Sequence, residues 1–130
     1  MRVSHVAVWV RDLEGMKSFY ERNFSAVSNE KYENRAKGFE SYFLTFSDGT
    51  RLEIMRRQDI ANAADAGEYN ERIGFAHLAL SCGSEAEVDR LTGVLSSAGV
   101  PIVSWPRRTG DGYYESVIRD PEGNLLEITV

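Results

Sequence analysis

The chain has 130 residues, with 15 Lys+Arg against 20 Asp+Glu, so its formal net charge is 15 − 20 = −5 with both histidines neutral. That length suits one compact domain with a real core, and 42% hydrophobic with 27% charged residues excludes a disordered chain. No basic stripe is present to bind a nucleic acid backbone, the apolar runs are no longer than stretches such as Val6 to Val10, too short for a membrane span, and the lone Cys82 excludes an intramolecular disulfide. The expected location is the cytoplasm. A strand-like pattern begins within two or three residues of Met1, so no signal or transit peptide is expected.

Residues 2–10 alternate in polarity and predict a first strand. Asp12 is a good N-cap, and Leu13, Met16 and Tyr20 then fall at helical spacing. Three shorter β-type runs follow, at about 26–34, 39–47 and 50–56. Residues 57–73, with Asn62, Ala63, Ala64, Asp65, Ala66 and Gly67, lack β periodicity and read as a linker. A second alternating strand covers 74–81. Ser84 with Glu87 makes a capping-box pattern, Val88, Leu91 and Leu95 repeat the helical spacing, and Gly99 then Pro101 close that helix. Runs at about 101–106, 112–119 and 124–130 complete the chain.

The two halves are one motif written twice. Asp48-Gly49-Thr50-Arg51-Leu52-Glu53-Ile54 recurs as Glu122-Gly123-Asn124-Leu125-Leu126-Glu127-Ile128, an offset of 127 − 53 = 74. Ser4-His5-Val6-Ala7-Val8 likewise resembles Ala76-His77-Leu78-Ala79-Leu80, an offset of 77 − 5 = 72. The expected fold is α+β: two tandem βαβββ modules, about 1–56 and 74–130, in a single domain over 1–130.

Alternate side chains on a strand point to opposite faces, so parity separates core from chemistry. Val6, Val8 and Val10, Leu52 and Ile54, Ala76, Leu78 and Leu80, and Leu126, Ile128 and Val130 form the face expected against the helices. The other parity carries His5, Trp9, Arg51, Glu53, His77 and Glu127. A merely solvated face draws on any polar residue, whereas this one repeats His on the first strand and Glu on the last in both halves. Two neutral imidazoles and two carboxylates suit a divalent metal ion, with the glutamates neutralising its charge. Arg51, and Arg107 or Arg108, are candidates to hold an anionic group, and Trp9 is a candidate substrate wall because its parity matches His5. Of Tyr113 and Tyr114, one is expected in the core and the other on the site face.

These residues resemble the glyoxalase I branch of the vicinal oxygen chelate superfamily. The resemblance covers almost the whole chain and rests on His5, Glu53, His77 and Glu127 as a set, with the closing motif Asp120-Pro121-Glu122-Gly123-Asn124 before Leu126-Glu127. It implies an open, cupped eight-stranded sheet arrangement with the helices on its outer face, around one divalent metal ion per site (Ni, Co, Zn, Mn or Fe). Extradiol dioxygenases and fosfomycin-modifying enzymes carry histidine where Glu53 stands, and epimerase-like members often carry glutamine, so the full His/Glu set points to glyoxalase I. Bleomycin-resistance binding proteins share the fold and usually lack the metal residues. Trp9 stands where short bacterial glyoxalase I has a basic residue that helps hold glutathione, so the resemblance does not extend to glutathione as the thiol.

The implied activity is that of a metal-dependent lyase or isomerase acting on a small carbonyl compound or its thiol adduct through an enediolate. Glu53 or Glu127 would move the proton. The remaining readings are a small-molecule sequestration protein of the bleomycin-resistance type and a metal-dependent dioxygenase. The resemblance also implies a homodimer, whose site is assembled either within one chain or from His5 and Glu53 of one chain and His77 and Glu127 of the other.

Overall fold

Two cooperating local signals build each half of the molecule: a capped helix, and a tight glycine turn that leads into the last strand. The computed structural model describes residues 4–60, 77–110 and 112–130. The chain divides into two units, Met1–Gly67 and Glu68–Val130.

The first unit runs β1 (Val6–Trp9), α1 (Leu13–Phe24), β2 (Val27–Ser28), β3 (Tyr32–Asn34), β4 (Phe39–Thr45) and β5 (Arg51–Arg57). The Asp12 carboxylate accepts the Gly15 amide at 2.9 Å, as an N-cap should. Leu13, Met16, Phe19 and Tyr20 are buried on α1, which packs on β4 and β5 where Tyr42, Leu44, Leu52 and Ile54 are also buried. The sheet order is β1-β5-β4-β2, with β3 also on β4. β1 runs parallel to β5, and β2 and β3 run antiparallel to β4, as does β5.

The second unit repeats the plan as β6 (Leu78–Ser81), α2 (Glu85–Ser97), β7 (Ile102–Arg108), β8 (Tyr114–Arg119) and β9 (Leu125–Thr129), in sheet order β6-β9-β8-β7. The Ser84 hydroxyl accepts the Glu87 amide at 3.2 Å. At the other end Val100 N–H donates to Leu95 O and Gly99 N–H to Ser96 O, both at 3.0 Å, with Gly99 at φ +83°. That is a Schellman closure, and it needs the left-handed conformation glycine adopts freely. Val88, Thr92 and Leu95 of α2 are buried, as are Ser116, Ile118, Leu126 and Ile128 of the sheet. The two hydroxyls in that core are satisfied, because Thr92 Oγ1 lies 2.6 Å from Ser116 Oγ and donates to Val88 O at 2.7 Å.

The α+β class and the two βαβββ modules are those read from the sequence, with two corrections. The run at 26–34 is two short strands, so the described residues form five- and four-stranded sheets, nine strands instead of eight. Asn29 causes the break: its backbone N–H donates to Phe43 O at 3.1 Å while its side-chain oxygen accepts Phe43 N–H at 2.7 Å, replacing a ladder bond with a side-chain bond. The expected core also thins at the sheet ends. Val10 is buried, but Val8, Leu78 and Leu80 are half-buried and Val6 is exposed, since β1 and β6 are terminal strands of their sheets; Val130, just past the end of β9, is exposed too. Ala76 lies outside the described residues, as does the expected linker from residue 61 to 73; Arg57 still belongs to β5, and Ile60 N–H donates to Arg57 O at 3.3 Å. No helix among the described residues is long and apolar enough to cross a membrane.

Candidate metal centre

The turn before each final strand has the same hydrogen bonds in both units. Phe46 N–H donates to Thr50 O at 2.9 Å and Gly49 N–H to Phe46 O at 2.9 Å; Asp120 N–H donates to Asn124 O and Gly123 N–H to Asp120 O, each at 3.0 Å. Gly49 and Gly123 sit at φ +85° and +86°, which a residue with a Cβ resists. Carboxylates hold these loops. Asp48 accepts Thr50 N–H at 2.9 Å, and Asp120 accepts the Glu122 and Asn124 amides at 2.9 Å each. Burial pushes the Asp120 carboxyl above its ordinary value, against the pull of those donors.

Matched turns produce a matched register. Ala7 lies beside Glu53 on the parallel pair β1–β5, and Ala79 beside Glu127 on β6–β9. His5 and His77 stand two residues before those alanines, on the same sheet face as the glutamates. In the first unit His5 Nε2 is 3.8 Å from Glu53 Oε2; in the second His77 Nε2 is 3.1 Å from Glu127 Oε2. The side chains are 37% and 17% exposed in the first pair and 43% and 20% in the second, so solvent reaches both imidazoles.

Ser4 Oγ lies 3.3 Å from His5 Nδ1 and accepts a hydrogen bond from Arg51 Nη2 at 3.0 Å. A hydroxyl there can accept a hydrogen bond from Nδ1–H, which leaves the Nε2 lone pair available on the Glu53 side, as metal ligation by Nε2 requires. The donor chemistry therefore fits a divalent transition ion. One pair supplies only two donors, however, and among the described residues no group of three or more His, Cys, Asp or Glu side chains stands together.

Trp9 is 40% exposed on the Glu53 side of the sheet, edge-on to Phe39 at 6.0 Å, with the Arg57 guanidinium 5.4 Å from its ring. Arg51 stacks on Phe43 at 5.0 Å. Arg108 is not with this group. It pairs with Glu85 of α2 and covers Tyr114 at 5.7 Å, which places it on the helix side of its sheet; Arg107 instead pairs with Glu115 at 3.4 Å on the Glu127 side. Neither of the two adjacent tyrosines is core: Tyr113 is 59% exposed, and half-buried Tyr114 donates to Asp89 at 2.7 Å. Phe43 was missed by sequence reasoning. It lies directly across from Glu53 and meets His5 edge-on at 5.2 Å, which pairing the runs 39–47 and 50–56 across their glycine turn would have indicated. A cleft of about 240 Å³ beside β3, lined by Glu33, Arg35, Phe39, Glu40, Arg56 and Gln58 among others, includes none of the four His and Glu residues. Its charges pair among themselves, Arg35 with Glu33 and Arg56 with Glu40.

A family model described as glyoxalase/bleomycin resistance protein/dioxygenase superfamily matches residues 2–128. The chain belongs to that superfamily. Among relatives, the Bacillus subtilis (strain 168) protein YqjT, itself uncharacterized, is 25% identical over 128 residues, covering 95% of this chain and 94% of its own. Glyoxalase I from Zea mays matches in structure with a TM-score of 0.78 at 21% identity; the match covers 98% of this chain but only 44% of the maize enzyme. A glyoxalase family protein from Enterococcus faecalis matches with a TM-score of 0.79 at 22% identity, covering 99% of this chain and 97% of its own. At these identities the structural likeness establishes the fold.

Proposed function

We propose that the protein is a metal-dependent lyase or isomerase of the glyoxalase I type, acting on a small carbonyl compound or its thiol adduct. The observation that carries this reading is the His–Glu pair repeated at the same register in both units, at 3.8 and 3.1 Å. Two donors do not satisfy a transition ion, so the reading assigns His5, Glu53, His77 and Glu127 to one ion, drawn from one chain or from two chains of a homodimer. When bound, the ion acts as a Lewis acid toward adjacent substrate oxygens. The residues do the rest. Neutral imidazoles would hold the ion, and Glu53 or Glu127 takes the proton from the hydroxyl-bearing carbon beside the carbonyl and returns it to the former carbonyl carbon, while the hydroxyl proton passes to the former carbonyl oxygen. The lone Cys82 fits a reducing, cytoplasmic setting.

The test is isomerisation of methylglyoxal hemithioacetals, made with several thiols, by protein stripped with chelator and resupplied with nickel, cobalt, zinc, manganese or iron. Turnover that returns with metal, with the substrate's carbon-bound proton delivered to the neighbouring carbon in competition with exchange into solvent, supports the reading. Stoichiometric retention of a carbonyl ligand with no turnover under any metal would transfer the assignment to a sequestration protein.

A further inference from the structure

The duplication supplies an internal comparison between the two glutamate-bearing faces. What the modules share is the His–Glu pair; what surrounds it differs. Opposite Glu53 stands Phe43, whereas opposite Glu127 stands Val117. Trp9 pairs with Met55 in the first unit, whereas Ser81 pairs with Thr129 in the second. Two residues before the glutamate stands Arg51 in one and Leu125 in the other. Groups common to both modules serve a common task, and groups present in one alone are free to specialise.

We propose that the Glu53 face selects the substrate, and that it takes a small carbonyl compound bearing a carboxylate beside the carbonyl and an aromatic group beyond it. This rests on the reading above that the His5–Glu53 pair belongs to the reacting site. Arg51 is the anion holder. Its guanidinium is held by Ser4 Oγ at 3.0 Å and the Phe43 ring at 5.0 Å, and no carboxylate among the described residues pairs with it. Arg57, at the other end of the same strand face, is already paired with Asp59. A planar guanidinium braced on a ring and left with free N–H donors takes a carboxylate in bidentate fashion. A substrate held there and reacting at Glu53 extends along the strand over Met55, toward the Trp9 and Phe39 rings that meet edge-on at 6.0 Å.

The test uses the full chain carrying Trp105→Phe, which leaves Trp9 as the remaining tryptophan, with Trp9 fluorescence as the readout. The probes are phenylpyruvate, pyruvate as a competitor lacking the ring, and phenylacetone lacking the carboxylate. The expected result is phenylpyruvate binding at least tenfold tighter than either. Arg51→Gln should lose at least tenfold for phenylpyruvate and little for phenylacetone, while Phe39→Val, which removes the ring that meets Trp9, should narrow the preference over pyruvate. Arg51→Lys retains the charge and guards against misfolding, with circular dichroism as the check on each variant. Equal affinity for the three probes, or full phenylpyruvate affinity in folded Arg51→Gln, would overturn the proposal. Titrations run in both chelator and metal separate the two readings: selective phenylpyruvate binding without any metal uptake removes the metal assignment alone, and metal uptake without selectivity removes this one alone.

Discussion

At the scale of single residues, the polar cluster of Glu14, Lys31 and Tyr42 shows how α1 is tied to β4. Lys31 Nζ is 2.9 Å from Glu14 Oε1, and Tyr42 donates to the same carboxylate at 3.1 Å. The Lys31 contact is the largest influence holding the Glu14 carboxyl below its ordinary value, and burial first, then Glu14, raises the Tyr42 hydroxyl. A depressed folded carboxyl value gives stability that is complete above the unfolded value and lost as pH falls through the folded one. Thermal unfolding against pH should therefore show an acid-side loss that Glu14→Gln reduces; identical acid limbs in both proteins would contradict the link. In the α2 core the hydroxyl pair is the informative site. Ser116→Ala leaves Thr92 Oγ1 still donating to Val88 O at 2.7 Å, so it should cost only about 0.5–1.5 kcal/mol, whereas Leu95→Ala opens a fully buried site and should cost about 2–5 kcal/mol. Urea unfolding of the two variants measures that difference.

At the scale of elements, turns and caps decide how much was legible in advance. Both helices follow from Asp12 and Ser84, because a cap is a local bond between neighbours in sequence. The His–Glu faces follow from strand parity, since β1, β5, β6 and β9 pair without a bulge. Arg108 did not follow. The β7–β8 pairing shifts register between Ile102 and Ser104 and again between Ser104 and Arg107, with Pro106 in the second interval unable to donate an amide, so alternation fails before Arg108 is reached. The break at Asn29 was equally hidden, because its partner Phe43 is fourteen residues away and the contact is tertiary. The glycine turns support a further prediction. No other atom lies within 4 Å of where a Cβ would stand at Gly49 or Gly123, so alanine there meets backbone strain alone. Each substitution should cost about 1–2 kcal/mol by denaturant unfolding, and a neutral result would show that the turn does not require its left-handed residue.

At the scale of the whole molecule, the duplication gives each unit one His–Glu pair, and the proposed function assigns both pairs to one ion because two donors do not satisfy it. If the pairs come from two chains, mixing His5→Ala protein with Glu127→Ala protein should form a heterodimer with one intact site and restore metal uptake, while no recovery in the mixed dimer would contradict the two-chain arrangement. The central claim is tested most directly by elemental analysis of the purified chain beside His77→Ala and Glu127→Ala, after exposure to each candidate metal and removal of loosely held ions. The proposed assignment predicts about one divalent ion per chain, lost in both variants. A chain that retains no metal under any supply, or variants that hold it as well as the parent, would contradict it.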